Sequence, residues 1–153
     1  MSALELKIPP VAVTLLFVAL MWLLAQATPG LPLAMGWRVG LLAIGVVAGA
    51  AVGLAGVWSF RRARTTVNPL NPERSSALVV DGVFRLSRNP MYLGLLMALA
   101  GWGLFLANAP SLLLALAFVP YMNRFQIGPE ERAMEQAYGQ SFTEYRRRVR
   151  RWL

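Results

Sequence analysis

Four apolar blocks divide the chain, over residues 11–27, 39–60, 91–108 and 110–127, and short polar stretches separate them. Crossing a bilayer as a helix takes about 20 residues, with a usual range of about 17–25, so each block is a candidate span. The pattern predicts an all-α polytopic membrane protein with four transmembrane helices. Asn108-Ala109-Pro110 is a tight turn, so the third and fourth helices are expected to form an antiparallel hairpin. The fourth block is interrupted by Pro120 and followed by Asn123, Arg124 and Gln126. It reads as a kinked helix whose polar end leaves the lipid or lines a cavity.

The polar stretches have their own periodicities. Residues 61–90 form a loop that begins irregularly, because Asn68-Pro69 and Asn71-Pro72 are turn formers. Residues 78–84 alternate around Asp81-Gly82 and read as two short extended pieces. Pro90 suits the first turn of the third helix, with Asn89 or Ser87 as its cap. Past the fourth block, Gly128-Pro129-Glu130-Glu131 opens a new helix with two acids in its first turn, and Gly139 is a natural stop. Ser141-Phe142-Thr143-Glu144 is a capping box for a last helix. Phe142, Tyr145, Val149 and Trp152 share one face of it, opposite Arg146, Arg147, Arg148, Arg150 and Arg151. Residues 129–152 are therefore expected as a helical cap that is amphipathic and lies on an anionic inner leaflet.

Charge sets the orientation. Residues 61–89 hold six Arg and the tail from Arg124 seven, whereas the 108–110 turn holds none. Both basic regions face the cytoplasm under the positive-inside rule, which four spans satisfy with both termini inside. The expected location is a bacterial inner membrane, and residues 1–153 form one integral membrane domain. Ala25-Gln26-Ala27 has the form of a signal-peptidase site, but the apolar run is long and Glu5 offsets Lys7, so the first segment reads as a retained helix.

Composition narrows the chemistry. The 153 residues are 57% hydrophobic and 14% charged, against roughly 25% charged in average chains. The net charge of +8 accompanies a mean hydropathy of +0.52, which argues for membrane and not nucleic acid as the partner of the basic tail. No Cys and no His are present, which removes disulfides, thiolate nucleophiles, imidazole bases and Cys/His zinc sites. No metal site is expected. In the second block Gly45, Gly49 and Gly53 recur every four residues. Such a face packs against another helix of the same chain, the preferred reading, or serves as a homodimer seam.

Three features fall on the same cytoplasmic surface: Arg88-Asn89-Pro90 with Tyr92, the acid pair Glu130/Glu131, and Arg124. Each has a structural explanation of its own, since acids favour a helix start and arginines snorkel. Together they could bind an anionic ligand group on Arg88 and an amine or hydroxyls on Glu131. On helical geometry Glu130 and Glu131 point about 100° apart, so one of them is expected to contact the ligand.

Arg88-Asn89-Pro90-Met91-Tyr92-Leu93-Gly94, then Glu130-Glu131, then Tyr138-Gly139 with Phe142 and Tyr145, resembles the membrane methyltransferases. That group includes isoprenylcysteine carboxyl methyltransferases and phospholipid N-methyltransferases, and the resemblance covers roughly residues 65–153. It implies an S-adenosylmethionine-dependent enzyme, releasing S-adenosylhomocysteine, whose lipid-like acceptor comes from the bilayer. Carried over by motif position, Arg88, Asn89, Pro90, Tyr92, Leu93 and Gly94 would line the cofactor pocket, and Glu130 and Glu131 would contact the cofactor. Gly101-Trp102-Gly103 would allow close approach of the cofactor, or serve helix packing. Asn89 stands where the family's commonest residue is His, and Asn takes no proton at neutral pH.

The sulfonium methyl of such a cofactor is already activated, so the protein has to align the reactants and exclude water. Arg124 and Glu131 are the candidate catalytic residues. A carboxylate acceptor needs only placement, by Arg124 or Arg85. An amine acceptor needs a group to take its proton, from among Asp81, Glu130, Glu131 and Glu135. The rival readings are an NADPH-dependent membrane reductase of similar architecture and a non-enzymatic membrane scaffold subunit.

Overall fold

The computed structural model describes residues 5–63 and 78–153. Six α-helices follow in order among them: α1 Pro10–Ala27, α2 Met35–Arg62, α3 Pro90–Leu106, α4 Ala109–Met122, α5 Gly128–Tyr138 and α6 Gln140–Arg148. A 3-10 turn, Gly82–Arg85, precedes α3, and a π turn, Asn123–Ile127, joins α4 to α5. No strand occurs among the described residues.

Helix α3 is central. It packs against α2 on one side and against α1 and α4 on the other. The α2 contact is made by small residues on both helices. A Cβ on Gly45 would lie 2.7 Å from Gly101 Cα, and one on Gly49 would meet the Gly94 carbonyl. The two backbones touch there, the arrangement that small residues four apart permit. Gly53 has open space in front of it. On the other side Val13, Phe17 and Met21 of α1, Leu99 of α3, and Ala115, Phe118 and Met122 of α4 form one buried core. Phe17 meets Phe118 edge to face at 5.5 Å.

Helices α1 and α2 are long and apolar enough to cross a membrane, and only 22% and 11% of their apolar windows are buried inside the protein. Ile44, Val47 and Leu54 of α2 point outward, each about two-thirds exposed. An apolar surface this large belongs in contact with lipid, not water. Helix α3 has 17 residues and α4 14, both apolar.

The α3–α4 hairpin closes as expected. Ala107 takes a left-handed conformation (φ +50°) that ends α3. Asn108 caps α4 by accepting from the Ser111 amide at 2.9 Å, and its Nδ2 donates to Thr28 Oγ1 at 2.8 Å. At the end of α4 the irregularity lies past Pro120, in the π turn. Pro129 has no N–H to give the Phe125 carbonyl; that carbonyl instead accepts from the Leu6 amide at 3.0 Å. The N-terminal segment is thereby stitched to the turn, with Gln126 Nε2 donating to the Ile8 carbonyl at 2.6 Å.

Four local expectations are corrected. The second extended piece expected around Asp81-Gly82 does not form: Asp81 is extended, but Gly82 has φ +64°, and the chain coils into the 3-10 turn that drives Phe84 into the cap. The Asn89 side chain does not cap α3, because it donates to the Arg151 carbonyl at 2.9 Å. The Ser141 capping box does not form; α6 starts at Gln140, whose amide group donates to Glu144 at 3.0 Å. Finally, α6 ends at Arg148 and Val149 is extended. Phe142, Tyr145 and Val149 are buried against Phe84, with Phe60, Val83 and Met134 around them, so this face meets protein and not lipid. The loop expected at Asn68-Pro69 and Asn71-Pro72 lies outside the described residues.

Candidate functional site at the start of the third helix

The site forms where four pieces of chain meet: the turn before α3, the first turn of α3, the start of α5, and the tail after α6. Arg88 is its hub. The Arg88 amide donates to the Arg150 carbonyl at 3.0 Å. Its guanidinium donates to the carbonyls of Val149 and Arg146 at 2.5 and 3.1 Å. A cation on the last carbonyls of a helix is favoured by their exposed negative ends, so Arg88 closes the C-terminus of α6. The same guanidinium pairs with Glu131 at 2.7 Å.

Glu131 is buried and accepts from two arginines. Arg151 donates Nη2 to Oε2 at 2.5 Å and Nε to Oε1 at 3.1 Å. Burial pushes the Glu131 pKa up, but the hydrogen bonds and charges of Arg151 and Arg88 outweigh it and hold the carboxyl below its usual value. Glu131 is a fixed anion.

Glu130, about 100° around the helix, has a different neighbour. Its Oε1 accepts from the Tyr92 hydroxyl at 2.5 Å. Burial pushes its pKa up to about 7; the Tyr92 hydrogen bond opposes this and the Glu131 charge adds to it. The tail completes the site. Ser87 Oγ accepts from the Asn89 amide at 3.1 Å, and Trp152 Nε1 donates to Asn123 Oδ1 at 3.0 Å. Tyr145 donates its hydroxyl to the Phe84 carbonyl at 2.7 Å, and burial pushes that hydroxyl's pKa up.

Arg88, Asn89, Tyr92, Glu130 and Glu131 thus come together as the motif spacing implied. Pro90 and Gly94 face α2 instead: Pro90 Cγ lies 3.1 Å from where a Gly56 Cβ would be, and Gly94 opposes Gly49. Leu93 is buried. Gly101 and Gly103 pack against α2 and α4, the second of the two readings. Arg124 stands apart, paired with Glu5 at 2.7 Å, and Arg132 holds the other oxygen of Glu5 at 2.8 Å. Arg151 joins the site from outside its sequence motif. Read as a continuous helix it belongs to the outward basic face, and only the unwinding at Val149 turns it onto Glu131.

A model of the phospholipid methyltransferase family matches residues 30–141. The chain belongs to this family. The match takes in α2 to α5 and both halves of the Arg88–Glu131 pair. Among relatives of this phospholipid methyltransferase family member, a protein of Haemophilus influenzae described as uncharacterized is 41% identical over 63 residues, 41% of this chain and all of that one. Protein-S-isoprenylcysteine O-methyltransferase A of Arabidopsis thaliana is 32% identical over 103 residues, 65% of this chain and 51% of the plant protein. Its B counterpart is 33% identical over 91 residues, 58% and 45% of the two chains. The chain spans about half the length of these plant relatives. No solved structure matches it.

The donor set fits the cofactor expected of such a family. Arg88 and Arg151 suit a carboxylate, and Glu130 and Glu131 suit an ammonium group or ribose hydroxyls. Arg88 Nε, buried, has no hydrogen-bond partner among the described residues, so the hub retains a donor that its protein contacts leave unsatisfied.

Proposed function

We propose that this protein transfers a methyl group from S-adenosylmethionine to a lipophilic or lipid acceptor, a carboxylate or an amine, at the cytoplasmic face of the membrane. The observation that carries the reading is the convergence of the two motif halves, Arg88 on Glu131 and Tyr92 on Glu130, across 43 and 38 residues of chain. Family membership supports the reaction class. When bound, the cofactor supplies an activated methyl on sulfonium sulfur.

The chain's own task is to bind, orient and keep out water. Arg88 and Arg151 hold an anionic end, Glu131 fixes both arginines, and Asn89 ties the tail to α3. Orientation follows from charge, because the site shares its end of the bundle with Arg61 and Arg62 and with the exposed Arg146, Arg147, Arg148 and Arg150. That basic surface suits anionic lipid through charge alone, its apolar partners being engaged in the cap. Spanning by α2 is supported by Trp37 and Trp58, both exposed and 21 residues apart. That spacing is about 31 Å of helix, close to the roughly 30 Å hydrocarbon core, with an aromatic ring at each boundary.

The test is calorimetric binding of S-adenosylhomocysteine to the detergent-purified protein, with Glu131→Gln alongside and NADPH as competitor. Micromolar binding that is lost in Glu131→Gln is expected. Binding of NADPH in its place would move the chain to the reductases, and binding of neither would leave the scaffold reading.

A further inference from the structure

Away from the Arg88 cluster, a second group of charges gathers on the π turn. Residues 5–9 cross that turn as a strap, fixed by the Leu6 amide on the Phe125 carbonyl at 3.0 Å and by Gln126 Nε2 on the Ile8 carbonyl at 2.6 Å. The strap presents Glu5 to two arginines. Arg124 Nη1 donates to one carboxylate oxygen at 2.7 Å and Arg132 Nη2 to the other at 2.8 Å. The Glu5 side chain is 4% exposed, whereas those of Arg124 and Arg132 are 57% and 55% exposed. The anion is inside and both cations face out. A guanidinium carries five N–H donors, and Glu5 takes one from each arginine, so their outer edges are left to bind something else. The Phe125 ring lies 5.6 Å from the Arg124 guanidinium carbon and backs its plane. Beside Arg132 the chain has Gly128, where a Cβ would stand 3.7 Å from Nη1, so no side chain crowds that edge. Lys7, on the strap, is exposed as well, and the patch keeps a surplus of positive charge after Glu5 is counted.

The patch sits where apolar surface ends. Val11, Leu15 and Leu16, in the first two turns of α1, are each more than half exposed, and the strap directly precedes them. Helix α1 is long and apolar enough to cross a membrane, which puts the strap at the level of the lipid headgroups, with acyl chains beside the helix. We propose that the strap, the π turn and α5 form a binding site for one anionic phospholipid. Its phosphate is held between the outer edges of Arg124 and Arg132, and Glu5 is the positioning residue that sets the two guanidiniums side by side. Planar forked donors match phosphate oxygens two at a time. The surplus positive charge favours phosphatidylglycerol over phosphatidylethanolamine, whose ammonium group it repels. This lipid is a resident of the fold and not a methyl acceptor, and the site stands whether or not the chain transfers methyl groups. It differs from the charge-only attraction of Arg146, Arg147, Arg148 and Arg150 by its fixed pair of donors. Exposed charges farther apart than about 8 Å are largely screened at physiological ionic strength, whereas direct contacts to a phosphate persist.

The experiment uses the full chain in detergent and reads two signals. Native mass spectrometry counts the lipids retained when phosphatidylglycerol or phosphatidylethanolamine is added, and thermal unfolding is followed on the same samples. The wild type is expected to retain one phosphatidylglycerol and to gain stability with it, as any ligand that binds only the folded state confers. Phosphatidylethanolamine is expected to do neither, and inorganic phosphate is expected not to displace the bound lipid. Removing both arginines alone would strand Glu5 as a buried unpaired charge. The variant is therefore the neutral set Glu5→Gln/Arg124→Gln/Arg132→Gln, in which lipid affinity is expected to fall at least about tenfold. Arg124→Lys/Arg132→Lys keeps the charges and the Glu5 pairs but loses the forks, and is expected to bind between these limits. Arg147→Gln/Arg148→Gln removes as much positive charge from the cap and is expected to keep the bound lipid.

Retention of phosphatidylglycerol by the neutral set overturns the site, and so does equal loss of lipid from that set and from the cap variant, which would mean attraction by diffuse charge. Equal binding of the two phospholipids overturns the preference for an anionic headgroup. Displacement by inorganic phosphate would show a site for free phosphate and overturn the lipid assignment. If the neutral set does not fold, the lysine variant decides, and lipid binding equal to wild type there overturns the role of the forked donors.

Discussion

Arg88 and Glu131 stand 43 residues apart in the chain and 2.7 Å apart in the structure, each with about a tenth of its side chain exposed. The pair ties the start of α3 to the start of α5, and Arg151 makes it a triad that also holds the tail.

Breaking the triad is expected to be costly in an ordered way. Glu131→Gln leaves two guanidiniums facing each other without an anion, and loss of one partner of a buried pair costs about 3–5 kcal/mol. Arg151 is 36% exposed, so Arg151→Ala is expected to cost about 1 kcal/mol or less. Thermal unfolding in detergent should rank Glu131→Gln and Arg88→Ala well below Arg151→Ala. Equal shifts for all three would mean that Glu131 is not the anchor.

The two glutamates predict opposite dependences on pH. The pKa of Glu131 is lower folded than unfolded, so its stabilisation is present above the ordinary carboxylate range and is lost as pH falls through the folded value. The pKa of Glu130 is raised to about 7. Its contribution is therefore full below the unfolded value, about 4.3, and is lost as pH rises through about 7. Unfolding temperatures of the wild type and Glu130→Gln should diverge between these limits. Curves that run parallel from pH 4 to about 8 would contradict the assignment.

The glycine face supplies an internal control. A Cβ at Gly49 meets the α3 backbone, whereas one at Gly53 meets nothing within 4 Å. Gly49→Ala is expected to destabilise by about 1–3 kcal/mol, as overpacking does. Gly53→Ala is expected to be neutral or to stabilise by about 0.5–1 kcal/mol through lower chain entropy. Chemical denaturation of the two variants decides the order, and the reverse order would place α2 differently on α3.

Tyr145→Phe tests how the cap is held. The hydroxyl is buried and donates to the Phe84 carbonyl, and a buried carbonyl left without a donor costs about 1–3 kcal/mol. Hydrogen exchange across residues 140–153 should accelerate in the variant while α1 and α2 stay as protected as before. Unchanged exchange in the cap would show that Phe142 and Val149 hold it without this bond.

Hydropathy and segment length were enough to place the helices. Long apolar runs lower their free energy only by closing every backbone hydrogen bond within the segment, so α1 to α4 were legible from composition and length. Asn108 and Pro110 marked the hairpin for the same local reason. The motif spacing also named five residues of the cluster, Arg88, Asn89, Tyr92, Glu130 and Glu131. Which partner each of them takes follows from the tertiary fold. Ser141 could not show that its capping box would go unused, nor Asn89 that its side chain would turn to the Arg151 carbonyl. The Asn89 choice depends on a partner 62 residues away. The α6 face had the amphipathic pattern of a lipid-bound helix, but a buried apolar face has the same periodicity whether lipid or Phe84 covers it. Arg151 looked solvated until the extended backbone at Val149 turned it inward. The difference in surroundings between Glu130, on Tyr92, and Glu131, on two arginines, is of this kind too. Two identical side chains in sequence differ only through burial and neighbouring charge, and those exist once the chain has folded.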